Sequence, residues 1–187
     1  MTSGPRSTAD AQRERILAHA LTVFAQAGYH ATPVTTVATA AGVSPAYIFR
    51  LFPGKLALFV AAVDECYRRV VTTMIDAGTA AGDATPSEVL DAMGQAYADL
   101  IADRDLIRLQ GHAQSACDVP EIRAAVQRGL RDLVTEATLV SGADARSVQQ
   151  LIAYGQLCHL IVQADLGAVD ETWAHTVSDG FRHPEPA

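Results

Sequence analysis

Lysine is all but missing from this sequence: Lys55 is the only one among 14 basic side chains, the rest being arginine. Cysteine is scarce as well. Cys66, Cys117 and Cys158 are odd in number, far apart and without a CxxC pair, which argues against a disulfide framework and a structural zinc site. They are expected to be small buried apolar groups. No apolar run reaches the roughly 18 residues of a membrane span. The opening MTSGPRSTADAQRER lacks the apolar stretch of a secretion signal. A cytoplasmic protein with no membrane partner is expected.

Signatures of catalysis are missing too. FPGK is not the phosphate loop GxxxxGK[ST], and no strand precedes it. There is no nucleophile motif and no carboxylate pair, so the chain is not expected to be an enzyme. His112 with Cys117, and Cys158 with His159, lack ligand spacing on one helix face. No metal or cofactor is expected.

What is present is a globular chain. Its 187 residues are 49% apolar, enough to bury a real core in one large or two small domains. The formal charge of -7 speaks against nucleic acid as a sum, but its distribution does not. Arg6, Arg13, Arg15, Arg50 and Lys55 outweigh Asp10 and Glu14 in residues 1–55, so the negative charge lies beyond them.

Periodicity is helical throughout. Ile16, Ala20, Phe24 and Ala27 share one face with Leu17 and Leu21 beside them, which predicts a helix over about 9–27 ended by Gly28. Thr32-Pro33 reads as a cap followed by proline at the first helical position. Val34, Val37, Ala38 and Ala41 then give two turns, closed by Gly42. Ser44-Pro45 repeats the cap signal and opens a third short helix that stops near Phe52-Pro53-Gly54. Lys55 opens a long fourth helix, and Ala77 to Ser87 reads as a loop. Further helices are expected near 87–102, 104–117, 119–140, 145–166 and 170–181, with a frayed end at HPEPA. The expected class is all-α, about nine helices and no strands.

Two very short helices joined by a glycine turn cannot offset their nucleation cost alone. They must pack on the first and fourth. Ala38, Gly42 and Ile48 have the spacing of a helix-turn-helix: a small residue for close approach, a turn glycine and an apolar anchor. With Ile48, Leu51 and Phe52 inward, Pro45, Ala46, Tyr47, Phe49 and Arg50 lie on or beside the outer face that a major groove would meet. Thr35, Thr36 and the helix starts offer donors to phosphates, and Arg50 and Lys55 offer charge.

The run RERILAHALTVFAQAGYHATPVTTVATAAGVSPAYIFRLFPGKLALF, residues 13 to about 59, resembles the N-terminal DNA-binding domain of the TetR family of bacterial transcriptional regulators. The FAQAGYHAT transition, the AAGVS turn and the F-P-x-K-x-x-L start of the fourth helix carry the likeness. The resemblance implies a homodimeric, all-helical repressor whose C-terminal domain binds a small molecule and dimerises through its last two long helices. By position it implies DNA contacts at Thr35, Thr36, Ser44, Pro45, Ala46, Tyr47, Phe49, Arg50 and Lys55. The family usually has tyrosine at the place of Phe49, so a phenolic hydroxyl is missing here. Tyr47, where the family often has a small polar residue, is the hydroxyl available to replace it.

The expected domains are 1–55, a helix-turn-helix DNA-binding domain, and 56–187, a ligand-binding and dimerisation domain. In the second, VQQLIAYGQLCHLIVQADL is apolar nearly all round, as a core helix that also meets a partner subunit would be. Leu151, Leu157, Leu160 and Ile161, with Trp173, Val177 and Phe181 on the last helix, are the interface candidates. A pocket needs apolar walls and a few polar groups. The candidates are Met93, Tyr97, Leu109, His112, Gln114, Cys117, Tyr154, Gln156 and His159.

The expected function is a ligand-responsive regulator, a repressor on a palindromic operator, with double-stranded DNA, a second copy and an unknown small-molecule effector as partners. The alternatives are a DNA-binding regulator without a small-molecule ligand and a helical enzyme using a Cys/His pair such as Cys117 and His112.

Overall fold

The computed structural model describes residues 8–180. Among them are nine α-helices and no strand: α1 (Thr8–Ala31), α2 (Val34–Ala41), α3 (Pro45–Leu51), α4 (Lys55–Ala80), α5 (Pro86–Leu100), α6 (Arg104–Ser115), α7 (Pro120–Ser141), α8 (Ala145–Gln163) and α9 (Thr172–Ser178). A 3₁₀ turn at Leu166–Ala168 follows α8. The all-α class expected from the sequence is the class observed. No described helix is by itself long and apolar enough to cross a membrane.

The chain forms two compact units. Of the described residues, the first unit holds those up to 66 with 109–126, and the second holds 67–108 with 127–180. In the first unit the face of α1 made by Ile16, Ala20, Leu21 and Phe24 is buried together with Val37, Ala38, Ile48, Phe52, Leu58 and Phe59. Phe24 meets Phe59 edge to face, with ring centroids 4.9 Å apart. Apolar side chains from four helices thus supply the stabilisation that α2 and α3 lack by themselves.

Local chemistry sets the turn. Gly42 takes the left-handed conformation at φ 64, ψ 36, and the N–H of Val43 returns to the Ala38 carbonyl at 3.0 Å. Ser44 Oγ then accepts the Tyr47 N–H at 3.2 Å, with Pro45 at the first helical position.

In the second unit, Val70, Met74, Val89, Met93, Tyr97, Ile107, Leu133, Ala137 and Val148 form the core. Here α5 packs on α8. Thr85 and Glu88 form a capping box at the start of α5, the Thr85 N–H donating to Glu88 Oε2 at 2.8 Å. The hydrogen bonds from Thr85 hold the Glu88 carboxyl below its ordinary range. Asp144 caps α8, accepting the N–H groups of Arg146 and Ser147 at 2.8 and 3.0 Å.

Three boundaries differ from expectation. Gly28 kinks α1 at φ 70, ψ -173 without ending it, and the last turn carries on to Ala31, whose neighbour His30 gives its carbonyl to Lys55 Nζ at 3.1 Å. Thr32 is not a cap. Pro33 holds that position, and Thr32 Oγ1 is buried without a hydrogen-bond partner. The segment from Ala77 to Ala80 is helical rather than loop, because Gly78 is a packing residue: a Cβ there would lie 2.3 Å from Met93 Cε.

Candidate nucleic-acid interface

The short helix α3 sorts its residues sharply by side. Ile48 is fully buried, Phe52 follows it into the core and Leu51 is half-buried. Ala46, Phe49 and Arg50 are exposed, with Pro45 and Tyr47 half-buried at the edges. The guanidinium of Arg50 lies 4.5 Å from the centroid of the Tyr47 ring, a cation–π contact between residues three apart on the helix. Ser44, Thr35 and Thr36 are exposed beside this face.

Lys55 is placed differently from a free surface cation. It is half-buried, donates to the His30 carbonyl and sits 4.8 Å from the centre of the Tyr29 ring. It therefore ties the start of α4 to the end of α1. Two arginines not singled out as site residues do similar work. Arg13 lies 4.8 Å over the Phe52 ring, and Arg15 donates to the Ala41 carbonyl at 3.4 Å, the last residue of α2. The net positive balance of residues 1–55 was their only signal in the sequence.

The pocket candidates fall in both units. Leu109, His112, Gln114 and Cys117 belong to the first, where Leu109 is buried, His112 and Cys117 are half-buried and Gln114 is exposed. His112 lies against the α1 kink: a Cβ on Gly28 would come within 2.7 Å of its Nδ1. In the second unit Met93, Tyr97 and His159 are buried, while Tyr154 and Gln156 are exposed.

Tyr97 and His159 are brought together from α5 and α8, the Tyr97 hydroxyl and His159 Nε2 sharing a buried hydrogen bond. Burial penalises the charged imidazole and lowers the His159 pKa from 6.5 to about 4. The neighbouring Cys158 thiol is pushed up by the same burial. A cleft of about 400 Å³ opens at the starts of α5 and α8, lined by Pro86, Asp91, Asp144, Ser147, Leu151 and Tyr154 among others. Of the pocket candidates it takes in Tyr154 alone.

Of the interface candidates, Leu160 and Trp173 are exposed, at 54% and 53%. Leu151, Leu157 and Val177 are half-buried, and Ile161 is buried. Phe181 lies outside the described residues. Leu139 and Val134 on α7 are also exposed and were not among the candidates.

Fold and site together define an all-helical protein with an N-terminal helix-turn-helix. Residues 16–62 match the model for bacterial regulatory proteins of the tetR family. The HTH-type transcriptional regulator RutR of Escherichia coli is 40% identical over 65 residues, which are 34% of this chain and 31% of RutR. The match thus spans about a third of that relative's length. Among solved structures, FadR of Bacillus subtilis in complex with stearoyl-CoA has a TM-score of 0.69 at 19% identity, over 91% of this chain and 100% of FadR. A TetR-family regulator from Agrobacterium tumefaciens has a TM-score of 0.69 at 18% identity, covering 90% of this chain and 93% of its own. Residues 16–62 thus match the tetR-family DNA-binding domain, and the chain as a whole shares the fold of the solved regulators named here.

Proposed function

We propose that the protein is a ligand-responsive transcriptional repressor that binds a palindromic operator as a homodimer and leaves it when a small apolar or amphipathic effector binds. The observation that carries this reading is the outer face of α3, where Ala46, Phe49 and Arg50 are exposed on a helix anchored from behind by Ile48. Such a face fits a major groove. Thr35, Thr36 and Ser44 are donors to flanking phosphates, while Lys55 holds α4 in place beside them.

The likeness to a FadR structure that holds stearoyl-CoA supports an amphipathic effector. The Tyr97–His159 pair is a polar spot in apolar surroundings that include Met93, the pattern that would fix an amphipathic ligand's orientation. An effector favouring one arrangement of α4, which begins at Lys55, would shift the population of DNA-competent molecules. Two recognition helices must meet half-sites about 34–36 Å apart, so a few ångströms of displacement suffices.

Fluorescence anisotropy against duplex DNA from the region upstream of the protein's own gene tests the reader. Arg50→Ala is expected to lower affinity tenfold or more, as loss of one good base contact does. Unchanged affinity would exclude α3 as the reading helix. Leu160→Glu is expected to give a protomer in light scattering, because it places a charge on an apolar face that a second copy would cover.

A further inference from the structure

We infer that α3 reads two marks in the major groove: the N7/O6 edge of guanine, taken by Arg50 held on the Tyr47 ring, and the 5-methyl group of thymine, taken by Phe49 and Ala46. This rests on the DNA-reading function proposed above.

The first ground is the make-up of the helix. Its residues, PAYIFRL, include no amide and no carboxylate. Bidentate reading of adenine needs an Asn or Gln, and the cytosine amino group needs an acceptor such as Asp or Glu. Neither is available from α3. Successive residues turn by about 100°, so the buried Ile48 and half-buried Leu51 mark one side and Ala46, Phe49 and Arg50 share the other.

The second ground is Phe49. Phenylalanine is ordinarily among the most buried residues, yet Phe49 is 50% exposed, alone among the large apolar side chains described in the first unit. Its ring has no donor or acceptor and cannot bond a phosphate or a polar base edge. The apolar mark that the major groove offers is the thymine methyl. Ala46, one turn before Arg50 and beside Phe49 on the exposed face, adds a second methyl-sized contact.

The third ground is the clamp on Arg50. With its guanidinium 4.5 Å from the Tyr47 ring centre, the side chain has given up part of its rotamer freedom before any ligand arrives. A preset planar fork matches the two acceptors of guanine. Tyr47 is thus a positioning residue that acts through its ring, and its hydroxyl is not required.

The test uses the full-length protein and a pool of duplexes randomised over about 24 base pairs, enough for two half-sites one helical turn apart. The selected duplex is remade with deoxyuridine for thymine, or with 7-deazaguanine for guanine. The wild-type protein is expected to lose about three- to fourfold per critical methyl and tenfold or more without the guanine N7. Phe49→Ala should discriminate less between the thymine and uridine duplexes than the wild type does. Tyr47→Ala should lose discrimination at the guanine, and Tyr47→Phe should keep it.

If no sequence is enriched, the DNA-reading function fails and the inference with it. If a sequence is enriched but wild-type binding is indifferent to both analogues, the base code is overturned and DNA binding stands. The base code is likewise overturned if Tyr47→Phe behaves like Tyr47→Ala. The wild-type arms require no variant to fold.

Discussion

The two units draw the line between inside and outside in opposite ways. In the first, α3 buries Ile48 completely and leaves the very next residue, Phe49, half exposed. In the second, the polar pair Tyr97 and His159 is carried into the core while Leu139, Leu160 and Trp173 stay on the surface. The first unit follows the rule that a two-turn helix survives by anchoring one face, and its exception, Phe49, lies on the face proposed to meet DNA. The second breaks the rule twice. Tyr97 and His159 offset the cost of their burial by hydrogen-bonding each other, and an exposed apolar side chain marks a surface that can be covered.

Truncating the anchor should give the largest effect. Phe59 is fully buried, edge-on to Phe24 and 5.3 Å from the Tyr29 ring. Phe59→Ala is expected to cost about 3–5 kcal/mol in urea unfolding, since both the transfer energy and the cavity count against it. A cost under about 1 kcal/mol would show that the core of the first unit collapses around the gap.

The polar core of the second unit is probed by pH. His159 binds its proton at about 4 in the folded chain and near 6.5 when unfolded. The unfolded state therefore holds more protons in that window. Stability is full above about pH 6.5 and declines as pH falls, by an amount on the order of 3 kcal/mol near pH 4. His159→Gln keeps a hydrogen-bond partner for the Tyr97 hydroxyl and does not titrate, so melting temperatures measured from pH 7 to pH 4.5 should depend less on pH. An identical profile in the variant would show that His159 is not the group responsible.

The smallest effect is local. Ser44→Ala removes the bond from Ser44 Oγ to the Tyr47 N–H and should cost about 1 kcal/mol. In the first unit a cap is backed by the four-helix core, so the melting temperature should drop by a few degrees without a change in helix content.

Much of the first unit was legible in the sequence because its signals are short-range. Gly42, Ser44 and Pro45 act on neighbours within four residues, and the structure has the turn and cap that they predict. Thr32-Pro33 carries the same pair of residue types and misleads. Thr32 is turned into the core, where its hydroxyl finds no partner, and Pro33 takes the capping position. The place of Lys55 was also hidden, since the carbonyl it bonds belongs to His30, 25 residues earlier.

In the second unit, glycine, threonine and alanine around Gly78 look like a loop. The helix runs through them because Gly78 makes room for Met93, fifteen positions on. The pairing of Tyr97 with His159 spans 62 residues and no periodicity reveals it. The exposure of Leu139 was hidden for a related reason: an apolar residue on an amphipathic helix reads as core until the packing of that helix is known.

From the amino-acid order alone came the helical class, the glycine turn between α2 and α3 and the outward composition of α3, all consequences of backbone preferences and spacings that operate over a few residues. Only the tertiary structure decided which glycine ends a helix and which makes room for a neighbour, that a histidine is kept neutral in the core, and that the lone lysine ties two helices together. Those outcomes depend on partners tens of residues away, which no local pattern encodes.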